Sequence, residues 1–268
     1  MVNMKVLIRG GGDLASAVAH KLHNSGFIVV VVELENPLVV RRTVAFAAAV
    51  KDGATTVEGV EGRFVDDISE VLGLAARQFV AVTTLPEADL MKAWQPDVFI
   101  DATLSKKPVN YRADYAPLTI GLGPKICAGA DADYVVETKR GHFLGALIES
   151  GEAVENTGIP GVIAGRSHER VHYSEAKGIV TVVVQIGDMV KAGDVIAKVD
   201  GAPVCAKLDG VVRGMIADGT VVPPNTKIGD VDPRAETSYC WTISDKGRTI
   251  SGAVLEAIMR RFNDEGQL

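Results

Sequence analysis

Lys5-Val6-Leu7-Ile8-Arg9-Gly10-Gly11-Gly12-Asp13-Leu14-Ala15 decides how the first half of the chain is read. A short apolar run breaks at three glycines and resumes with helical spacing at Leu14, Val18 and Leu22. Gly10, Gly12 and Ala15 fit G-x-G-x-x-A, the phosphate-binding fingerprint of doubly wound sheets. The first small residue turns the chain, the second admits a phosphate to the backbone, and the third lets helix and strand pack closely. The loop Gly10, Gly11, Gly12, Asp13, Leu14 and Ala15 is therefore the first candidate cofactor-binding element. The helix amides that follow would face an anion.

A second apolar run, Phe27 to Val32, ends in Glu33, about twenty residues beyond the glycines, where an acidic side chain can accept from a ribose diol. An Ala-rich helix is expected over Val44–Val50, capped by Thr43 and preceded by Arg41 and Arg42, whose planar forks suit phosphate or carboxylate. Further on, a helix over Asp66–Arg77, a strand at Phe79–Val82, a helix from Pro86 to Trp94 and a strand ending at Asp101 alternate as in a parallel sheet covered on both faces. Ligands of such sheets sit beyond the carboxyl ends of the strands. That places Asp101, Lys106, Lys107 and Arg140 on the rim of the same cleft, with His142 close behind. Taken singly, each also fits an ordinary solvated loop.

With 47% hydrophobic and 23% charged residues among 268, the chain is globular and long enough for two domains. A net charge of −6 argues against general affinity for nucleic acid or an anionic membrane, so a bound anion needs a local cluster of cations. Cys127, Cys205 and Cys240 are far apart with no CxxC spacing, which suits a reducing cytosol and carries no metal signature. No apolar run is long enough to span a bilayer and no signal-type leader is evident, so a cytoplasmic protein is expected, with a homodimer as the default assembly.

The texture changes near His168. Gly178-Ile179-Val180, Gly187-Asp188-Met189-Val190 and Ile196 through Asp200 recur at constant offset as Gly210-Val211-Val212, Gly219-Thr220-Val221-Val222 and Ile228 through Asp232. A repeat of short strands with Gly/Asp turns implies two like β-halves sharing one apolar face. The pattern G-D-x-V-x-x-G-D-x-I resembles the barrel-sandwich, or hammerhead, fold of biotinyl and lipoyl domains. The turn Asp200-Gly201-Ala202-Pro203-Val204-Cys205-Ala206 lacks their attachment lysine, so a non-carrier module is expected. A terminal helix from Ser244 to Phe262 carries the stripe Ile250, Val254, Leu255, Ile258 and Met259. The expected fold is thus α/β: a Rossmann-like, mostly parallel sheet domain (1–166), a small all-β barrel-sandwich domain (167–234) and a C-terminal helical segment (235–268).

Arg9 through Ala15, Pro37 through Phe46, Gly121-Leu122-Gly123-Pro124, Glu137 through His142, Asn156 through Gly161, Lys227 through Arg234 and Ser244-Asp245-Lys246 recur in this order in the YqeB family, which the chain resembles over nearly its whole length. Those proteins accompany selenium-dependent molybdenum hydroxylases. The glycine-loop domain is also similar to the Rossmann part of XdhC-type chaperones, which handle sulfurated molybdenum cofactor. One departure is Lys125-Ile126-Cys127, where a Gly-Phe pair would be expected after Gly-Pro. The resemblance implies an accessory or maturation factor for a molybdenum hydroxylase client, binding a molybdopterin-type cofactor or its dinucleotide. Gly10–Ala15 would cradle the phosphates, Glu33 a ribose, and Arg41, Arg42, Lys106, Lys107 and Arg140 would supply charge. Cys127 is the best-placed candidate for carrying sulfur or selenium. Two rivals stay open: an oxidoreductase using NAD(P) on the same loop with His142 as its proton donor, and a non-catalytic docking protein.

Overall fold

The computed structural model describes residues 4–76, 78–105, 107–155 and 158–263. Arg77, Lys106, Asn156 and Thr157, which enter the expectations above, lie outside the described residues, as does the chain beyond 263.

The chain begins with β1 (Lys5–Arg9), α1 (Asp13–Asn24) and β2 (Ile28–Val32). There follow α2 (Ala49–Asp52), the hairpin β3 (Ala54–Val57) and β4 (Val60–Phe64), then α3 (Ile68–Leu72), β5 (Val80–Thr83), α4 (Glu87–Trp94) and β6 (Val98–Asp101). β7 (Leu118–Leu122), β8 (Cys127–Ala128), β9 (Tyr134–Val136), β10 (Leu147–Ile148) and β11 (Gly151–Glu152) complete the first half. Nine of these strands form one sheet in the order β10-β9-β7-β6-β1-β2-β5-β4-β3. β1 lies inside it and pairs in parallel with β2 and β6, while β3 and β10 run antiparallel to their neighbours at the two edges. Val6, Leu7, Ile8, Val30 and Val31 are fully buried, as expected of strands covered on both faces.

The second half carries β12 (Val171–Tyr173), β13 (Gly178–Val182), β14 (Met189–Val190), β15 (Val195–Val199), β16 (Ala202–Cys205), β17 (Gly210–Met215), β18 (Val221–Val222) and β19 (Lys227–Asp232), and then α5 (Asp245–Asn263). It forms two four-stranded sheets, β12-β19-β17-β14 and β16-β15-β13-β18. The copies interleave: β13 pairs with β18 of the other copy and β14 with β17, all antiparallel. Equivalent positions do equivalent work. A Cβ on Gly178 would strike Asp200, and one on Gly210 would strike Asp232, so both glycines let a strand pass an aspartate.

The expected Rossmann-like domain followed by a small barrel-sandwich domain and a C-terminal helical segment is not what forms. The large sheet is mixed, and the β-rich half is seated on the first half as several antiparallel sheets rather than standing as a tandem barrel. Met215 N–H donates to the Val40 carbonyl (2.8 Å), and Gly214 lies so close that a Cβ would come within 3.0 Å of that same oxygen. Helix α5 then returns to pack along α1, where a Cβ on Gly247 would sit 2.9 Å from that of Ala17. Its residues Ile250, Val254 and Ile258 are fully buried in the core of the first half. The Ala-rich helix expected at Val44–Val50 is also replaced, by 3₁₀ turns at Arg42–Val44 and Phe46–Ala48 around an extended Ala45. The reason is tertiary: Phe46 N–H donates to Ser16 Oγ (2.7 Å) and Ala47 N–H to the Gly11 carbonyl (3.0 Å). Among the described residues, no helix is long and apolar enough to cross a membrane.

His172 on β12 is wholly buried; its Nε2 accepts from Lys207 N–H (3.2 Å), and Nδ1 has no partner among the described residues. Burial, with the charge of Lys207, lowers its pKa from 6.5 to about 4. The folded value lies below the unfolded one, so this contribution is complete above the unfolded pKa and is lost as pH falls through the folded one. Urea denaturation should show it as about 3 kcal/mol lost between pH 7 and pH 4. His172→Gln, which keeps an acceptor but does not titrate, should remove that part of the pH dependence; an unchanged profile would contradict it.

Candidate functional site

The glycine loop leaves the carboxyl end of β1 at the middle of the sheet. Gly10 has φ +92°, which only glycine adopts without strain, and its N–H donates to the Val32 carbonyl (2.8 Å). Gly11 faces inward, where a Cβ would come 3.0 Å from Ala47 N. Gly12 differs from both. It is the N-cap of α1 with φ −65°, no side chain caps the helix, and a Cβ there would meet nothing within 4 Å. The first-turn amides of α1, which have no helical acceptors, therefore open onto space.

Two adjoining compartments share Gly12, Asp13, Leu14, Leu38 and Val39 in their walls. The first, about 820 Å³, lies over the glycine loop and the ends of β1 and β2. Glu33 lines it, yet both carboxylate oxygens accept backbone N–H groups, from Gly11 and Leu34 at 2.7 Å each. At its far end Arg9 binds Glu87 through Nε (2.6 Å) and a terminal nitrogen (2.5 Å), approaches Asp101 (3.3 Å) and lies over the rings of Phe99 and Tyr111. Burial opposes the Arg9 charge, but the Glu87 hydrogen bonds and the two carboxylates outweigh it and hold the proton more firmly than in a free arginine. Burial and a hydrogen bond to Glu87 push the Tyr115 hydroxyl up to about 12.

The second compartment, about 440 Å³, lies between α1, the β-rich half and the start of α5. Arg41, Arg170 and Arg213 line it and are 7%, 5% and 7% exposed. Arg41 donates to the carbonyls of Tyr239 (2.8 Å) and Thr242 (3.2 Å) and stands 3.8 Å from Asp13. Arg170 donates to the Gly161 carbonyl and to Asp230, each at 2.9 Å. The Nε of Arg41 and the Nε of Arg170 are buried with no partner among the described residues. Burial, followed by the charge of Arg41, lowers the pKa of Arg213, and burial lowers that of Lys246. At the rim Arg140 grips Asp245 with two bonds (2.6 and 2.8 Å) and holds that carboxyl down at about 2.

Of the residues singled out in the sequence, Gly10, Gly12, Asp13, Leu14, Ala15 and Glu33 line the first compartment. Arg41 and Arg140 line the second. Gly11 supports the loop from behind, and Asp101, 2% exposed, accepts from Thr103 N–H and Oγ beneath Arg9. Arg42 points elsewhere: its Nε donates to the Met215 carbonyl (2.8 Å), and it lines a separate cleft with Lys51. Lys107 and His142 are exposed and line neither compartment, His142 resting edge-on against Phe143. Cys127, in the β8–β11 ladder, lies outside both as well. Lys106 is not among the described residues.

Arg9, Arg170, Arg213, Lys227 and Lys246 were not anticipated. A signal for two positions exists in the repeat. Arg213 stands where the first copy has exposed Thr181, and Asp230 stands where it has Lys198. A charge in the buried strand of one copy only is the mark of a site built on one face of a symmetric unit. Among the described residues, no group of three or more His, Cys, Asp or Glu is placed to hold a metal ion.

No family model matches the chain. It is 48% identical over 254 residues to the uncharacterized protein YqeB of Escherichia coli K12, covering 95% of the chain and 47% of that protein. That similarity supports the YqeB family resemblance, and the chain spans about half the length of the curated relative it matches. Solved structures similar to it include the apo ectoine utilization protein EutE (DoeB) of Ruegeria pomeroyi (10% identity, 86% of each chain, TM-score 0.27). Another is a succinylglutamate desuccinylase/aspartoacylase of Rhodobacter sphaeroides (12% identity, 86% of each chain, TM-score 0.25). Superpositions at such scores carry no statement about function.

The Arg9–Glu87 fork fixes the far wall of the first compartment. Arg9→Met leaves Glu87 and Asp101 without their cation and should cost about 3 kcal/mol in urea denaturation. Adding Glu87→Gln should recover part of that loss; strictly additive losses would contradict a coupled pair.

Proposed function

We propose that this protein binds a phosphate-bearing organic cofactor, of nucleotide or pterin type, in the paired compartments, and that it serves as an accessory factor for a molybdenum hydroxylase. The observation that carries the binding half is the cluster of Arg41, Arg170 and Arg213, each more than nine-tenths buried, in one compartment wall beside the uncapped start of α1. Buried donors ordinarily find acceptors, and an oxyanion supplies several at once. A molybdopterin-type cofactor fits this donor set: its phosphate would meet α1 and the arginines, and its ring system the compartment over Gly10 and Glu33. When bound, such a group supplies the metal-binding dithiolene chemistry; the residues here bind and orient it. The accessory role and the hydroxylase client rest on the YqeB resemblance.

The test is the ligand carried by protein purified from its native host, read by absorbance and mass spectrometry. A phosphorylated pterin-type chromophore is the expected result, and a bound nicotinamide would contradict the assignment. Gly12→Asp should fold normally, because the position has open space and an ordinary φ. Its carboxylate would stand before the α1 amides and should weaken ligand binding at least ~10-fold; unchanged binding would remove the glycine loop from the site.

A further inference from the structure

The charges around the second compartment do not balance. Arg170 is matched by Asp230, Arg140 by Asp245, and Arg234, just behind, by Asp232 at 2.5 Å. Arg41 has only the half-exposed Asp13 at 3.8 Å. Arg213 and Lys227 have no carboxylate of their own: they stand 3.6 and 3.8 Å from aspartates already held by Arg234 and Arg170. Lys246 completes the set, and the nearest further acid, Glu137, already accepts N–H groups from Lys139 and Val154. Among the described residues, and even with Glu137 counted, seven cations in and just behind these walls stand against five carboxylates, a surplus of two positive charges in a chain whose net charge is −6.

We infer that this compartment is the seat of a doubly charged terminal phosphate, a phosphomonoester, held by Arg41, Arg170 and Arg213 against the start of α1. This rests on the cofactor-binding reading above and adds the ligand's charge and the direction in which it lies. Two features agree: the surplus matches a dianion, and Arg41, Arg170 and Arg213, each more than nine-tenths buried, line one wall beside the uncapped start of α1. A bridging pyrophosphate diester also carries two charges but spreads them over two phosphorus atoms, whereas a single wall of three arginines suits the monoester, which bears both on one. The first compartment offers no such positive surplus, since its Arg9 is bound by Glu87 and Glu33 accepts from the Gly11 amide, so it receives the uncharged remainder of the ligand. Arg213 is the discriminating residue. It sits beside Arg41 in a buried wall, donates through Nε to the Tyr239 carbonyl (3.4 Å) that Arg41 also uses, and shares Asp232 with Arg234, so its permanent charge is only partly offset.

The experiment is calorimetric titration of the full chain at pH 8 with inorganic phosphate, phenyl phosphate and dimethyl phosphate. The first two are dianionic at that pH and the third carries one charge. Phenyl phosphate should bind at least ~10-fold more tightly than dimethyl phosphate, with inorganic phosphate separating the anion's share from that of the organic group. Arg213→Met should keep or raise the melting temperature of the free protein, by relieving like-charge crowding, and weaken phenyl phosphate at least ~10-fold. Arg63→Met, at an exposed position of β4, makes the same change in net charge and should leave binding unaltered. Should Arg213→Met fail to fold, Lys246→Met gives the same readout. Equal affinity for monoester and diester, or undiminished binding by these two variants, would overturn the assignment. If the native ligand still binds Arg213→Met but not Gly12→Asp, the cofactor-binding reading stands and the phosphate lies on the glycine loop instead.

Discussion

The segment from Val39 to Ala47 is bonded on both sides, and most of the architecture depends on it. On one side Ala47 and Phe46 donate to Gly11 and Ser16, fixing the glycine loop and the first turns of α1. On the other, the Val40 carbonyl accepts from Met215, Arg42 donates to the Met215 carbonyl, and Arg41 reaches Tyr239 and Thr242. A backbone bonded this way cannot also form a regular helix, since its amides are spent on tertiary partners. In exchange it holds the β-rich half at a fixed place beside the N-terminus of α1. The second compartment exists because of that placement.

The electrostatics follow from the same geometry. Buried arginines are costly unless their donors are filled, and here most are filled by carbonyls and aspartates of the two halves. Asp230 and Asp232, both on β19, hold Arg170 and Arg234 in position, and the Arg140–Asp245 pair closes the rim. Arg41, Arg170 and Arg213 are gathered in the wall of one compartment. In an acidic protein this local concentration of positive charge is what an anionic ligand requires, and long-range charge alone would not supply it.

Much of the scaffold was legible in the sequence. The apolar runs at Lys5–Arg9 and Ile28–Val32 form strands, α4 and α5 begin within a residue or two of their expected starts, and the repeat marks two like β-copies, though not that their strands interleave. The assembly was not legible. Nothing local shows that Met215 bonds Val40, or that α5 returns to α1, because those are contacts between distant segments of similar apolar character. The paired arginines make the point at the level of a single bond. Arg41 and Arg42 look alike in sequence, but the backbone turn between them sends one guanidinium into the compartment and the other to the Met215 carbonyl. Arg170, in a short 3₁₀ turn, and Arg213, in a strand, carry no local sign of burial, because a charge in sequence reads as solvated; only the mismatch with Thr181 in the first copy marks Arg213.

The central claim is that the anion sits between the two halves rather than along the glycine loop. The most direct measurement is anomalous diffraction from crystals of the full chain soaked in tungstate, a tetrahedral dianion with a strong signal. A single strong peak in the second compartment, against the guanidinium groups of Arg41, Arg170 and Arg213, is the predicted result. A peak confined to the space above Gly10, or no ordered ion at millimolar tungstate, would contradict the account.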